Sequence, residues 1–232
     1  MKKNTRLSIL AGISVSILAT LTAQAQISTL RITEVMSSSG SGGTADWFEV
    51  TNYGLSDVFI TGWKMDDASF SSAASVALSG VASISSGQSV IFLESAAAET
   101  DISAFRTFWG SNVTSITIGS YTGSGISFSS TSDGLVLFNS IGVEMTPRVS
   151  FGTATAGSSF YYSYDSNGDP TTSPNANAIL STASLSNGQN TYTSSNNTGS
   201  PGTAMNAVPE PQTYLLLGIG AAFLLWRARQ RA

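Results

Sequence analysis

The chain contains no cysteine and no histidine in 232 residues. Without cysteine there is no disulfide, thiol nucleophile or sulfur ligand, so the fold must hold by packing alone. Without histidine, Ser-His-Asp and Cys-His relays, histidine-ligated zinc and the two-histidine, one-carboxylate iron site are all excluded. Positive charge is scarce too, with ten Lys and Arg against fourteen Asp and Glu. What remains is carboxylate chemistry, either an acid/base pair or oxygen ligands for calcium or magnesium.

The few bases are concentrated at the ends. Lys2, Lys3 and Arg6 precede an uncharged run over residues 7–21, and Ala23-Gln24-Ala25 follows with the small residues a signal peptidase requires, Ala23 and Ala25. Residues 1–25 are therefore expected to be a signal peptide, with Gln26 the first mature residue. At the other end, residues 214–226 carry no charge and are followed by Arg227, Arg229 and Arg231. A helix over this run would cover about two thirds of a hydrocarbon core, a short transmembrane helix. The arginine tail, residues 227–232, would stay in the cytoplasm, and everything before Pro209 would lie outside. Once both ends are set aside, Arg31, Lys64, Arg106 and Arg148 face all fourteen acids, a net charge near −10. Phosphate backbones are bound by clustered Lys and Arg, so no nucleic-acid partner is expected.

Pro209 and Pro211 lack N–H groups and hold Glu210 in an extended segment just outside the apolar run. The combination of Val208-Pro209-Glu210-Pro211, the short apolar stretch and the terminal arginines resembles the PEP-CTERM sorting signal of exported bacterial proteins. That resemblance implies a sorting segment over residues 207–232 with its motif at 209–211. It also implies an export translocase, a signal peptidase and an exosortase-like enzyme as partners. The location implied is the extracytoplasmic cell surface or extracellular matrix, after transient anchoring in the inner membrane.

Between these ends, runs rich in Val, Ile, Phe and Thr at residues 30–35, 47–51, 57–61, 90–93, 116–118 and 135–138 predict short strands. Turns are predicted at Asn52-Tyr53-Gly54, Ser86-Gly87, Asp133-Gly134, residues 139–142 and Asn167-Gly168. One short helix is expected over residues 101–109, capped by Thr100, ended by Gly110 and plugging one end of a sandwich. In residues 47–51, Phe48 and Val50 point one way and Trp47, Glu49 and Thr51 the other. Glu49 is expected to pair with Arg31 or Lys64. Gly62 is expected to form a bulge or close approach beneath Trp63.

The blocks 30–36, Asp46-Trp47-Phe48-Glu49-Val50-Thr51-Asn52, Gly62-Trp63 and 84–90, with Gly199-Ser200-Pro201-Gly202 at the end, resemble a lamin-tail domain. The fold implied is an all-β, Ig-like antiparallel β-sandwich with one short helix, flanked by the signal peptide and the C-terminal transmembrane helix. The resemblance would cover roughly residues 27–206, and the domain is expected over 26–206. Residues 37–44 and a stalk at about 191–206, both rich in Ser, Gly, Thr or Asn, are expected to be flexible.

Three functions fit these residues. The first is a non-catalytic structural or adhesion protein, associated with extracellular polysaccharide or matrix proteins in a biofilm, as exosortase substrates accompany such polymers. The second is a calcium-dependent binding module, with Asp165, Asn167 and Asp169 supplying oxygens at alternate positions beside Gly168. The third is a glycan hydrolase using Glu34 and Glu49 on adjacent strands. The first is adopted, with no catalytic residue and no cofactor. Asp66-Asp67 is expected to be a solvated loop.

Overall fold

β-Branched and aromatic residues dominate the strands, as a pleated surface packed on both sides favours. The computed structural model describes residues 28–123, 125–162, 164, 192–194 and 197–202. Its strands are Leu30–Met36 (β1), Trp47–Asn52 (β2), Val58–Phe59 (β3), Lys64–Asp66 (β4), Val76–Ser79 (β5), Ser83–Ile84 (β6) and Ser89–Glu94 (β7). Thr117–Tyr121 (β8), Asp133–Phe138 (β9), Val149–Phe151 (β10), Phe160–Tyr161 (β11), Tyr192–Ser194 (β12) and Asn197–Gly199 (β13) follow, with one α-helix, Ala98–Trp109 (α1), running into a 3-10 helix at Gly110–Val113. The expected signal peptide, calcium loop, transmembrane helix and sorting segment lie outside the described residues.

Hydrogen bonds run through nine strands in the order β10-β9-β4-β5-β8-β7-β2-β1-β11. Strand β5 makes the corner, pairing with β4 at one end and β8 at the other. The ribbon thus folds over as an Ig-like sandwich. Leu30, Ile32, Val35, Phe48, Val50 and Phe92 from one layer meet Met65, Leu135, Leu137, Val149 and Phe151 from the other. Where its two edges approach, Phe151 stacks on Phe160 with ring centroids 4.9 Å apart. Tyr162 Oη donates to the Ser150 carbonyl at 3.0 Å.

Among the described residues every strand pairing in this ribbon is antiparallel except β7 with β8. A parallel pair needs a crossover, and α1 supplies it. The helix does not plug an end of the sandwich. It lies on the outer face of the β1-β2-β7-β8 layer, where Phe105 and Trp109 join Met36, Trp47, Ile91, Leu93, Val113 and Ile118 in a second core. Apolar residues on both faces of β2 and β7 require that second cover, which is why all six residues of β2 are buried. The helix starts at Ala98 without a side-chain cap, and Thr100 is inside its first turn. Ser95 Oγ instead accepts from the Ala97 N–H at 2.9 Å and donates to the Asp101 carboxylate. Gly110, at φ +67°, ends the helix as expected.

Other local expectations are corrected. Asp133-Gly134 opens β9 rather than forming a turn. The Asp133 carboxylate gathers the N–H groups of Ala68, Ser129 and Gly134. A Cβ on Gly134 would sit 2.5 Å from the Phe70 ring, so glycine admits that ring. Gly62 sits in a turn, at φ +77°, closed by the Trp63 N–H to the Ile60 carbonyl at 3.0 Å. Asp66 is buried, not solvated, and accepts from Ser69 Oγ and the Ser71 N–H, both at 2.6 Å.

The expected flexible segments are also tied down where the structure describes them. Ser37 is buried, and the Ser38 carbonyl accepts from the Gly157 N–H at 2.8 Å. Within the expected stalk, β12 and β13 pair as a hairpin, and Asn197, Gly199, Ser200 and Pro201 are buried. These residues repay their ordering entropy with main-chain and carboxylate hydrogen bonds instead of apolar periodicity.

Gly119 marks the tightest crossing of β8. A Cβ there would lie 2.4 Å from the Ser79 carbonyl oxygen and 2.8 Å from the Phe92 ring. Gly119→Ala is therefore expected to destabilise the domain by about 1–3 kcal/mol, as overpacking does. The check is a lowered urea midpoint at unchanged slope.

Candidate functional site: a buried glutamate pair beneath the C-terminal strap

Glu34 and Glu49 are cross-strand partners, although simple alternation would separate them. Ile32 pairs with Val50 and Glu34 with Glu49, so Thr33 is the extra residue of a β-bulge. The bulge turns Glu34 and Met36 to the outer face, while Leu30, Ile32 and Val35 stay on the inner one. Both glutamates are fully buried.

Their cover is the strap formed by residues 197–202. Glu34 accepts from Ser159 Oγ at 2.5 Å, the Ser200 N–H at 2.8 Å and Ser200 Oγ at 2.7 Å. Glu49 accepts from Thr33 Oγ1 and the Gly202 N–H, each at 2.5 Å. The strap is anchored upstream as well. Asn197 Oδ1 accepts from the Gly40 N–H at 2.7 Å, and the Thr198 N–H donates to the Gly157 carbonyl at 2.6 Å.

Glycine makes this approach feasible at two places. A Cβ on Gly199 would meet Glu34 Oε1 at 3.0 Å and the Trp109 ring at 3.2 Å. One on Gly202, at φ +80°, would fall 2.0 Å from Ile116 Cδ1. Gly199-Ser200-Pro201-Gly202 is thus shaped to lie on the outer face between α1 and the glutamates.

Glu49 does not meet the base expected for it. The Arg31 guanidinium donates to the carbonyls of Ser28 and Leu30, and Lys64 pairs across β4 with Ala77 and Phe138. With neutral donors around the pair among the described residues, burial pushes both carboxyls up into the neutral range. The neighbouring Glu34 charge adds to the rise at Glu49, while hydrogen bonds from Ser159 and Ser200 moderate it at Glu34. Two carboxylates in one sealed site cannot both ionise cheaply, so the pair holds a proton through neutral pH.

A glycosidase needs its carboxyls open to a sugar ring and a water. Glu34 and Glu49 are closed off beneath the strap, and neither lines the cavity of about 660 Å³ between residues 42–45 and α1. Their geometry serves packing, not hydrolysis.

A second acidic group lies at one end of the sandwich. Asp46, Glu94 and Tyr121 occupy neighbouring positions on adjoining chain segments, the Glu94 N–H donating to the Asp46 carbonyl at 2.8 Å and Glu94 pairing with Tyr121. Burial, then the charges of Glu94 and Asp133, push Asp46 up to about 7. Burial also raises Glu94. Among the described residues, no three acids stand close enough to hold a metal ion. The proposed oxygen donors Asp165, Asn167 and Asp169 lie outside those residues.

The strap's partners leave little trace in the sequence. Ser159, Ser200 and Thr33 are ordinary hydroxyl residues in a chain rich in them, and only the paired glycines around Ser200 and Pro201 hinted at a close approach.

Comparison with known families accounts for both parts of the chain. The Lamin Tail Domain matches residues 23–153, more than half of the chain, and the PEP-CTERM protein-sorting motif matches residues 207–230. No curated protein matches. The lamin-tail match stops well short of the anticipated residue 206, whereas the structure continues through β11 and the strap to Gly202. Neither family is catalytic, and the sorting motif places the protein among exported proteins processed by an exosortase at the cell envelope. The chain belongs to the Lamin Tail Domain family, here as an Ig-like domain on an extracellular protein bearing a PEP-CTERM signal.

Proposed function

We propose that the protein is a structural or adhesion module of an exopolysaccharide-rich extracellular matrix, released from or re-anchored at the envelope by exosortase-like processing. The observation that carries this reading is the sorting motif at 207–230 joined to a domain whose adjacent acid pair is sealed from solvent. A displayed domain must persist outside the cell, and two packed cores on one sheet suit a chain with no disulfides. Its net charge near −10 would repel anionic polymers, so a neutral polysaccharide or a cation-bridged one fits best.

In this reading the domain occupies residues 26–206. Residues 214–226 hold it in the inner membrane until processing, with Arg227, Arg229 and Arg231 inside. Fractionation with intact-mass measurement is expected to find an envelope or matrix species beginning at Gln26 and ending within 209–211. Deleting residues 207–232 should abolish its retention at the surface. A surface species still carrying Ala232 would replace processing with a plain anchor, and a cytoplasmic protein would end the proposal. Calcium binding at Asp165, Asn167 and Asp169 would instead raise the melting temperature in millimolar calcium.

A further inference from the structure

The two buried glutamates have no part in the proposed matrix role, yet the last described segment of the chain rests on them. We infer that the end of the strap is a proton-dependent latch: residues 200–202 stay docked while the Glu34–Glu49 pair keeps a proton, and leave the outer sheet face when the pair loses it.

The geometry sets up this response. Cross-strand residues bring their side chains within about 5 Å at Cβ, and both carboxyls are fully buried. Among the described residues every hydrogen-bond donor to them is neutral: Thr33, Ser159, Ser200 and Gly202. The surrounding elements add no cation to this set among the described residues. On β1, Arg31 turns to the Ser28 and Leu30 carbonyls, and on α1, Arg106 turns to those of Val113, Thr114 and Ile116. Strand β11 places Tyr161 cross-strand from Glu34. Ser89, Ile91 and Leu93 of β7, and residues 197–202 themselves, carry no titratable side chain.

A second charge on the pair would therefore be repelled by the first and left without compensation. The element that can yield is the strap. Strands β1 and β2 are each paired on both sides, whereas beyond β13 the strap is held by Ser200 and Gly202 bonding to the carboxyls themselves. A hydroxyl chain gives the proton a route. Glu49 meets Thr33, Thr33 meets Thr51 at 3.0 Å, and Thr51 meets half-buried Ser89 at 2.7 Å, each hydroxyl able to donate or accept.

The latch also sets the sorting segment's reach. Six residues separate Gly202 from Pro209, so a docked strap keeps the tripeptide within about 25 Å of the sandwich surface. Release lengthens that tether.

The sign follows from linkage. Both carboxyls bind protons more tightly in the docked state than in water, so docking is fully favoured below the ordinary glutamate value of 4.5 and is lost as pH rises through the raised values. Hydrogen exchange on the full chain, corrected for intrinsic rates, tests this at the Ser200 and Gly202 amides. Between pH 6 and pH 9 their protection is expected to fall by about tenfold or more, the equivalent of one pKa unit, while the Val50 and Ile91 amides stay constant. Glu49→Gln keeps the shape without the second charge and should shrink that fall to the smaller one set by burial of the single remaining carboxyl, as should Glu34→Gln. Parallel behaviour of strap and sheet amides in the wild-type chain would overturn the latch even if neither variant folds. So would a wild-type pH response in Glu49→Gln. Because the readout is local protection, neither result bears on sorting or matrix association.

Discussion

Ending the chain at residue 196 is expected to remove on the order of 3 kcal/mol of stability relative to a chain ending at residue 206, a large share of what an ordinary domain has. The truncation deletes the Ser200 N–H, Ser200 Oγ and Gly202 N–H from two carboxyls and lets water take their place. Each hydrogen bond so exchanged contributes about 0.5–1.5 kcal/mol net. The deletion also removes Asn197 from the Gly40 N–H and uncovers the Trp109 and Ile116 surfaces against which Gly199 and Gly202 lie. Urea denaturation of the two chains, each beginning at Gln26, measures the difference. A loss below about 1 kcal/mol would make residues 197–202 an appendage rather than a structural element.

The second large effect is expected at the opposite side of the same face. Trp47→Ala should cost about 3–5 kcal/mol, the usual range for removing a large buried aromatic. Trp47 is fully buried and meets Phe105 and Trp109 edge-on, with ring centroids 5.7 and 6.2 Å away. Those contacts join the sheet to α1, so the variant should loosen the helix more than the inner core. Trp47 Nε1 is buried with no hydrogen-bond partner among the described residues. Trp47→Phe therefore loses volume but no hydrogen bond, and should cost clearly less than alanine. Equal losses in thermal denaturation for the two substitutions would show that packing against α1 is not what Trp47 contributes.

Much of the sandwich is legible from alternation alone. The runs at 30–35, 47–51, 90–93 and 135–138 coincide with β1, β2, β7 and β9, because long apolar stretches interrupted by turn residues have few other uses. The strands that escape are short or weakly apolar. Val76–Ser79 is bounded by serines, and Phe160–Tyr161 has only two residues. Their pairing is decided by partners distant in sequence. Asp133-Gly134 departs from its expected turn for a related reason, since an Asp-Gly pair signals a turn locally while here its carboxylate and missing Cβ are used by Ala68, Ser129 and Phe70.

The candidate site divides in the same way. Glu34 and Glu49 are visible as strand acids, but alternation counted from Ile32 puts Glu34 on the inner face. One bulged residue, Thr33, moves it to the outer face opposite Glu49, and no local propensity announces that shift. The Ser, Gly, Thr and Asn residues of the strap read as a flexible stalk because the contacts that fix them to the domain are long-range, Ser200 being 166 residues from Glu34.

By itself the sequence determined destination and exclusions. Absent residue types, signal composition and apolar run length are one-dimensional properties, and they sufficed for export, sorting and the loss of histidine and cysteine chemistry. Tertiary structure alone decided that two glutamates share a sealed site and that the chain's last described residues close it. Charge proximity and burial depend on which distant segments meet, and a one-residue change of register is enough to reverse them.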